Sequence, residues 1–315
     1  MYYAILGSGA MGLRYGVHLK ESGQKVDFID TWEKEVSTIK NQGGIYVSRD
    51  GKDRHLVPIN IHFPENYTGN PQAYIIFTKQ MGLSDMLSRC SYFFKNYQYA
   101  ITCMNGMGHI KKINQYFKPA KVIGGTAMLG TVLNKAGDVD FIGKKGSESM
   151  DLVNQTEKPD RFTYQLVKEF KKASLGPTLT TNFLGTLLTK VIYNSIVNSL
   201  CSMFQLKEGK FISAPVSKKL ICRLIKEAYQ VCKLAGIKPI KSLSEEFQII
   251  VHATRDVTPG HYPSMYQDLI KSRPTEVDYI NGYLYNLGKK FHYEAISQDF
   301  LRDLVHLAEH AKGII

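Results

Sequence analysis

"YYAILGSGAMGLRYGVHLKESG", residues 2–23, starts as a short apolar run, breaks at a glycine turn and continues with apolar residues Met11, Tyr15, Val17 and Leu19. An apolar run, a turn and a helical period in that order read as strand, loop and helix. The turn sets Gly7, Gly9 and Gly12 in G-x-G-x-x-G spacing. Gly7 permits the tight turn, Gly9 lets the backbone approach a pyrophosphate, and Gly12 lets helix and strand pack closely. The helix beyond offers unpaired N–H groups and a positive dipole end to phosphate. Gly7, Ser8, Gly9, Ala10, Met11 and Gly12 are therefore the expected dinucleotide-phosphate loop. A second strand, "KVDFID", ends at Asp30, 18 residues after Gly12. A carboxylate there accepts both hydroxyls of an adenosine ribose and repels a 2′-phosphate, which favours NAD over NADP. Asp30 could instead cap the helix that "DTWEKEVSTIKNQG" begins, a task Thr31 performs equally well.

Outward from this unit, further strands are expected at "AYIIFTK" (73–79), at "QYAITCMNGMG" (98–108) and as short runs within 121–153. The first ends in Lys79 and the second carries Asn105-Gly106. In an open parallel sheet the ligand crevice lies beyond the carboxyl ends of the strands, so Lys79 and Asn105 are candidate cofactor contacts. Their plain uses are a solvated lysine and an Asn-Gly turn. An amphipathic helix, "DRFTYQLVKEFKKAS" (160–174), closes this half. Beyond it the alternation stops and helices follow, roughly at 182–205, 215–235, 243–253, 264–271, 274–291 and 297–311. The expectation is an α/β chain: an N-terminal Rossmann dinucleotide-binding domain over 1–180 and an all-α substrate and dimerisation domain over 181–315. Substrate is expected in a cleft between the two.

The first helix of the second half contains "LLTKVIYNSIVNSLCSMF" (187–204), apolar nearly all round, with Lys190, Asn194 and Asn198 at i, i+4 and i+8. They form one narrow stripe on the helix. An unpartnered buried amide costs roughly 1–3 kcal/mol and an ammonium more, so such a stripe points to a polar ligand. The plain alternative is a helix with one wet face.

Composition narrows the classes. The chain has 315 residues, 43% apolar and 22% charged, as a folded globular protein has. No apolar run reaches the roughly 18 residues that span a bilayer, and the N-terminus shows no signal peptide. Five cysteines, an odd number without CxxC spacing, read as reduced thiols of a cytoplasmic protein. The formal charge is +12, but the lysine pairs at 111, 144, 171, 218 and 289 are scattered and no nucleic-acid motif appears. An anionic substrate and cofactor explain the charge better than nucleic acid does. No His/Cys/Asp cluster suggests a metal.

The chain resembles the ketopantoate reductase family along nearly its whole length. The matching pieces are "GSGAMG" at 7–12, Lys79, "NG" at 105–106, "K-x3-N-x3-N" at 190–198 and "PSMYQDLIKSRPTEVDYINGYL" at 263–284. The last is the most specific, with Ser264, Met265, Gln267, Asp268, Thr275, Glu276, Asp278, Tyr279, Asn281 and Gly282 matching the family signature. The resemblance implies a homodimer that transfers hydride between a nicotinamide cofactor and a 2-oxo acid. It implies that Lys190 is the general acid and that Glu276 positions Lys190 and the substrate hydroxyl. Asn105 would touch nicotinamide and substrate, Asn194 and Asn198 would bind substrate, and Ser264 would bind its carboxylate. Two positions depart from the pattern. Asp30 stands where NADPH-dependent members carry a basic or small residue, and His261 where they often carry Asn. Both resemble the branch of NAD-dependent (R)-2-hydroxy acid dehydrogenases that take branched or aromatic substrates, the D-mandelate type. NADPH-dependent 2-dehydropantoate 2-reductase of pantothenate biosynthesis is the alternative. A redox-sensing module would need the fold without the Lys190 and Glu276 pair, and a 3-hydroxy acid dehydrogenase a glycine-rich loop that is missing here.

Overall fold

Residues Tyr2–Leu6 form strand β1 and Ala10–Glu21 helix α1, with the glycine turn between them. The computed structural model describes residues 1–146 and 149–315. The chain divides into two units, Met1–Met104 with Gly108–Phe183, and Asn105–Met107 with Leu184–Ile315.

In the first unit, β2 (Lys25–Ile29), α2 (Glu33–Gln42), β3 (Ile45–Arg49), β4 (Lys52–Val57), β5 (Asn60–His62), β6 (Ala73–Ile76), α3 (Leu83–Cys90), β7 (Tyr99–Thr102) and α4 (His109–Ile113) follow in order. Then come β8 (Val122–Met128), β9 (Gly130–Lys135), β10 (Asp138–Ile142), β11 (Ser149–Asn154), α5 (Arg161–Lys172) and β12 (Pro177–Leu179). The main sheet runs β12-β11-β8-β7-β6-β1-β2-β5. All pairs from β5 to β8 are parallel, and β11 reverses direction beside β8. From β5 to β8 this is the strand order of a doubly wound dinucleotide fold, with its switch point between β1 and β6. Both faces are covered: Ile5, Ile75 and Ile101 belong to one core, Leu6, Ile76 and Ala100 to the other. That is why these strands read as continuous apolar runs.

The glycine turn is tight because the chain doubles back on itself. Gly7 has φ +97°, and a Cβ on Gly12 would lie 1.9 Å from Gly7 O. The sequence reading ran two strands too long. β6 ends at Ile76 and β7 at Thr102, so Lys79 and Asn105 lie in the loops beyond them. The reading also placed no strands in 45–57, where β3 and β4 form a hairpin in a second sheet, β4-β3-β10-β9. The buried Arg14 of α1 ties in that sheet. Its guanidinium donates to Ile142 O at 3.1 Å and lies 5.2 Å from the Phe141 ring centroid.

The second unit is helical: α6 (Phe183–Met203), α7 (Glu208–Ser213), α8 (Ser217–Leu234), α9 (Leu243–His252), α10 (Ser264–Ile270), α11 (Val277–Lys290) and α12 (Ile296–Ala311). α7 lies in a stretch that the sequence reading left without an element, and a π-helical turn, Ala253–Val257, extends α9. Among the described residues no helix is long and apolar enough to cross a membrane. α6 is buried on nearly every side; its serines and the Asn194 and Asn198 of its stripe are inside, with Lys190 half-buried. One residue of α11 meets that demand. Asn281 Nδ2 lies 2.9 Å from Ser195 O and 3.0 Å from Gln298 Oε1, and Asn281 Oδ1 accepts from Ser199 Oγ at 2.7 Å. The five cysteines are free, and all but Cys222 are buried.

Gly12→Ala should destabilise the protein by at least about 1–3 kcal/mol in urea unfolding, because the methyl has nowhere to go. Gly9→Ala, whose Cβ would meet nothing within 4 Å, should cost less, since it loses only the N-cap preference for glycine over alanine. Equal costs for the two would remove the packing role of Gly12.

Candidate active site

The glycine loop has the properties of an anion cradle. Gly9 occupies the N-cap of α1 with no side-chain cap, and the first turn holds no acidic residue. The first intrahelical bond runs from Leu13 N–H to Gly9 O, so the amides of Ala10, Met11 and Gly12 lack helical partners. Space over Gly9 is open, and the buried Ser8 hydroxyl has no partner among the described residues. Open space, unsatisfied donors and a positive dipole end fit a phosphate group.

Asp30 follows β2 directly and is 8% exposed. Its Oδ2 accepts from the Ser8 N–H, and its Oδ1 from the Trp32 N–H at 2.8 Å. α2 begins at Glu33, with Trp32 at its N-cap position. Thr31 is thus not the cap; Asp30 ties the start of α2 to the glycine loop and holds its charge beside the cradle. Burial pushes its pKa up, and the N–H groups of Trp32, Ser8 and Thr31 oppose the rise. A second carboxylate that the sequence reading missed, Glu35, accepts from Gly137 N–H at 3.0 Å; burial pushes its pKa up to about 7. Lys79 is exposed, three residues past the end of β6.

In the helical unit the two asparagines of different motifs meet. Asn194 Nδ2 donates to Asn105 Oδ1 at 3.1 Å. Next to it, Met107 N–H donates to Tyr279 O at 2.8 Å, and Gly106 takes φ +75° where a Cβ would strike that same carbonyl. Asn198, one turn further along α6, is 5% exposed. Ser264 is the first residue of α10, and Glu276, 6% exposed, stands at the N-cap of α11. The signature segment is anchored by Thr275 N–H donating to Glu309 Oε1 at 2.6 Å.

Lys190 is part-buried, with Nζ 4.9 Å from the Tyr193 ring centroid. Burial pushes its pKa down to about 8, and the charges of Glu208 and Glu246 resist the fall. Both carboxylates are themselves pushed up to about 7 by burial and held back by Lys190. His261 lies near enough that the Lys190 charge, after burial, lowers its pKa further. A cation poised near neutrality beside paired amides can protonate a developing alkoxide and hydrogen-bond a carboxylate or carbonyl. Glu208 and Glu246 escaped the sequence reading because nothing in "LKEGKF" or "LSEEFQ" separates a buried carboxylate from a surface one. Among the described residues no group of His, Cys, Asp and Glu could hold a metal ion.

Residues 3–151 match the family profile described as "Ketopantoate reductase PanE/ApbA", and residues 182–309 match its C-terminal counterpart. The 2-dehydropantoate 2-reductase of Lactococcus lactis is 28% identical over 98% of both chains, and that of Aquifex aeolicus 25% identical over 98% of this chain and 97% of its own. Among solved structures, a ternary complex of D-mandelate dehydrogenase with NADH and anilino(oxo)acetate matches with a TM-score of 0.93 and 29% identity over 99% of both chains. A candidate 2-dehydropantoate 2-reductase from Enterococcus faecalis is 30% identical over 99% of both chains, with a TM-score of 0.70.

The surroundings of Lys190 should be visible without any turnover. In the protein with 13C-dimethylated lysines, one NMR signal, absent in Lys190→Arg, should titrate near pH 8 rather than at the ordinary lysine value of about 10.4. Titration above pH 10 would place the ammonium in water.

Proposed function

The chain belongs to the ketopantoate reductase family, and on that premise we propose that it is a NAD-dependent (R)-2-hydroxy acid dehydrogenase for branched or aromatic 2-oxo acids. It is an oxidoreductase of the 2-oxo acid/2-hydroxy acid pair and uses a nicotinamide cofactor. The observation that carries the NAD-dependent reading is Asp30, a carboxylate bonded to the glycine loop at the end of β2. The structural relatives solved as D-mandelate dehydrogenase complexes with NADH agree with it.

When bound, the nicotinamide supplies the hydride. The loop of Gly7, Ser8, Gly9, Ala10, Met11 and Gly12 would hold the pyrophosphate, with the N–H groups of Ala10, Met11 and Gly12 as donors; Asp30 would take the adenosine ribose, and Lys79 and Asn105 further parts of the cofactor. Lys190 donates a proton from Nζ to the substrate carbonyl oxygen as that oxygen gains negative charge, and recovers it from water afterwards. A cation in low-dielectric surroundings stabilises such a charge far better than water does. Asn105, Asn194 and Asn198 orient the 2-oxo acid, Ser264 binds its carboxylate, and Glu276 aligns Lys190 with the substrate. The second reading, an NADPH-dependent 2-dehydropantoate 2-reductase, is favoured by the names of the curated relatives.

Lys190→Ala should lower kcat by roughly 10²–10⁴ with cofactor binding nearly unchanged. Since the protonated lysine is the donor, kcat/KM for reduction should be level at lower pH and fall as pH rises through about 8. The oxidation direction needs the neutral amine and should rise through the same value. A mutant that keeps most of its kcat would remove Lys190 from the chemistry.

Asp30 and a 2′-phosphate of charge near −2, about 4 Å apart at an effective dielectric of ~20, repel by several kcal/mol before screening. Even a fraction of that is a tenfold preference for NADH, since about 1.4 kcal/mol is a factor of ten. Asp30→Ser should shift the preference toward NADPH. If the wild-type protein has the higher kcat/KM with NADPH, the 2-dehydropantoate 2-reductase reading prevails.

A further inference from the structure

Two fully buried polar side chains lie just beyond β6 and β7, and the reaction described above uses neither. Gln80 and His109 are both 0% exposed. Gln80 follows Lys79 in the loop between β6 and α3, and His109 opens α4 after β7. Gln80 Nε2 lies 3.2 Å from His109 Nδ1. Burial, and then the charge of Lys112, push the imidazole pKa down to about 4, so the ring is neutral. An amide nitrogen only donates, so Nδ1 accepts and the ring proton sits on Nε2. Three residues further on, Lys112 Nζ donates to Gln80 O at 2.9 Å. α4 thus grips both the side chain and the backbone of one loop residue.

That loop is pressed against the glycine turn. Phe77 N–H donates to Leu6 O at 2.8 Å, and a Cβ on Gly7 would lie 2.8 Å from Phe77 O. The chain turns again at once, with Gly82 N–H donating to Lys79 O at 3.1 Å. Thr78 Oγ1 lies 3.9 Å from Met104 Sδ, which joins the same loop to the end of β7. With Asp30 at the end of β2 taking the adenosine ribose, β6 on the other side of β1 faces the other half of a dinucleotide. A buried amide left without its partner is costly, so the loop has to rearrange when the imidazole nitrogen is removed.

We propose that His109, through Gln80, is a positioning residue that fixes the Lys79 loop for the nicotinamide half of the cofactor. Lys112 is the second tie on the same loop. The proposal rests on the dinucleotide reading of the glycine loop, and not on which 2-oxo acid reacts.

The test is fluorescence titration of the full-length protein with NADH or NADPH, whichever binds more tightly, beside calorimetric titration with ADP. ADP carries the adenosine and the pyrophosphate but no nicotinamide half. His109→Phe fills the place of the ring and cannot accept from the Gln80 amide. His109→Asn is smaller but keeps a polar partner near the position of Nδ1. The Phe variant should bind the dinucleotide about tenfold more weakly and ADP within about twofold of wild type, as the loss of one hydrogen bond predicts. The Asn variant should recover most of that loss. The reverse order, with Asn weak and Phe normal, means that the place needs only volume and overturns the proposal. Equal weakening of dinucleotide and ADP marks a general loss of structure and overturns it too. If the Phe variant fails to fold, Lys112→Met decides: a weaker dinucleotide with ADP unmoved supports the role, and an unchanged dinucleotide overturns it. The titrations need no substrate. If no 2-oxo acid is reduced while the selective loss persists, the assigned reaction falls and the role of His109 stands.

Discussion

A polar group taken out of water must find a partner, and α6 is where this protein meets that constraint most severely. The helix is buried on nearly all sides yet carries Lys190, Asn194, Ser195, Asn198, Ser199 and Ser202. Two different solutions coexist on it. On one side Asn281 of α11 satisfies Ser199 and the backbone at Ser195, and Gln298 of α12 completes the network. A buried network of this kind favours one arrangement, because a slip of either helix would leave more amides unpaired. On the other side Asn194 pairs with Asn105, and Lys190 is balanced by carboxylates. The first side fixes the helix against its neighbours, and the second carries a cation and an amide pair.

The sheet unit solves a different problem, how to bring main-chain N–H groups up to an anion. The carbonyl of Gly7 occupies space that any side chain at residue 12 would need. Helix and strand therefore meet at a distance that only hydrogen atoms permit, and the helix N-terminus stays uncapped by the protein. Asp30 adds a constraint of sign. Bonded to Ser8 N–H, it places a carboxylate beside a loop otherwise suited to negative charge. Positive dipole and negative side chain thus lie side by side.

The electrostatics of Lys190 follow from the same cost of burial. A lone ammonium there would lose its proton and a lone carboxylate would gain one, so each holds the other in the charged form. Burial pushes the cation's pKa down and those of both anions up, and their opposite charges resist both shifts.

How much of this was legible in the chain varies with the range of the interaction. Strand, glycine turn and helix at the N-terminus, the helical second half and the stripe on α6 depend on local period and spacing, and the sequence by itself determined them. The turn at 45–57 was legible too: Asp50-Gly51, both with positive φ, is a two-residue hairpin turn after the β-branched and aromatic run Ile45–Val47, and it went unread because the returning strand, KDRHLV, is mostly charged. Strand ends could not be read, because Phe77 to Lys79 continue an apolar run whose pairing partners simply stop. Sequence offered Asp30 as ribose ligand or helix cap; only the folded chain shows its carboxylate accepting from both Ser8 N–H and Trp32 N–H. Tertiary structure alone decided that Asn105 joins the helical unit and that Glu208 and Glu246 are buried carboxylates whose charges act on Lys190. Sequence period tells which face of an element is apolar. It is silent on which distant residue fills the place opposite, because that depends on loops and close approaches such as Gly209 on Pro259, whose geometry exists only once the chain is folded.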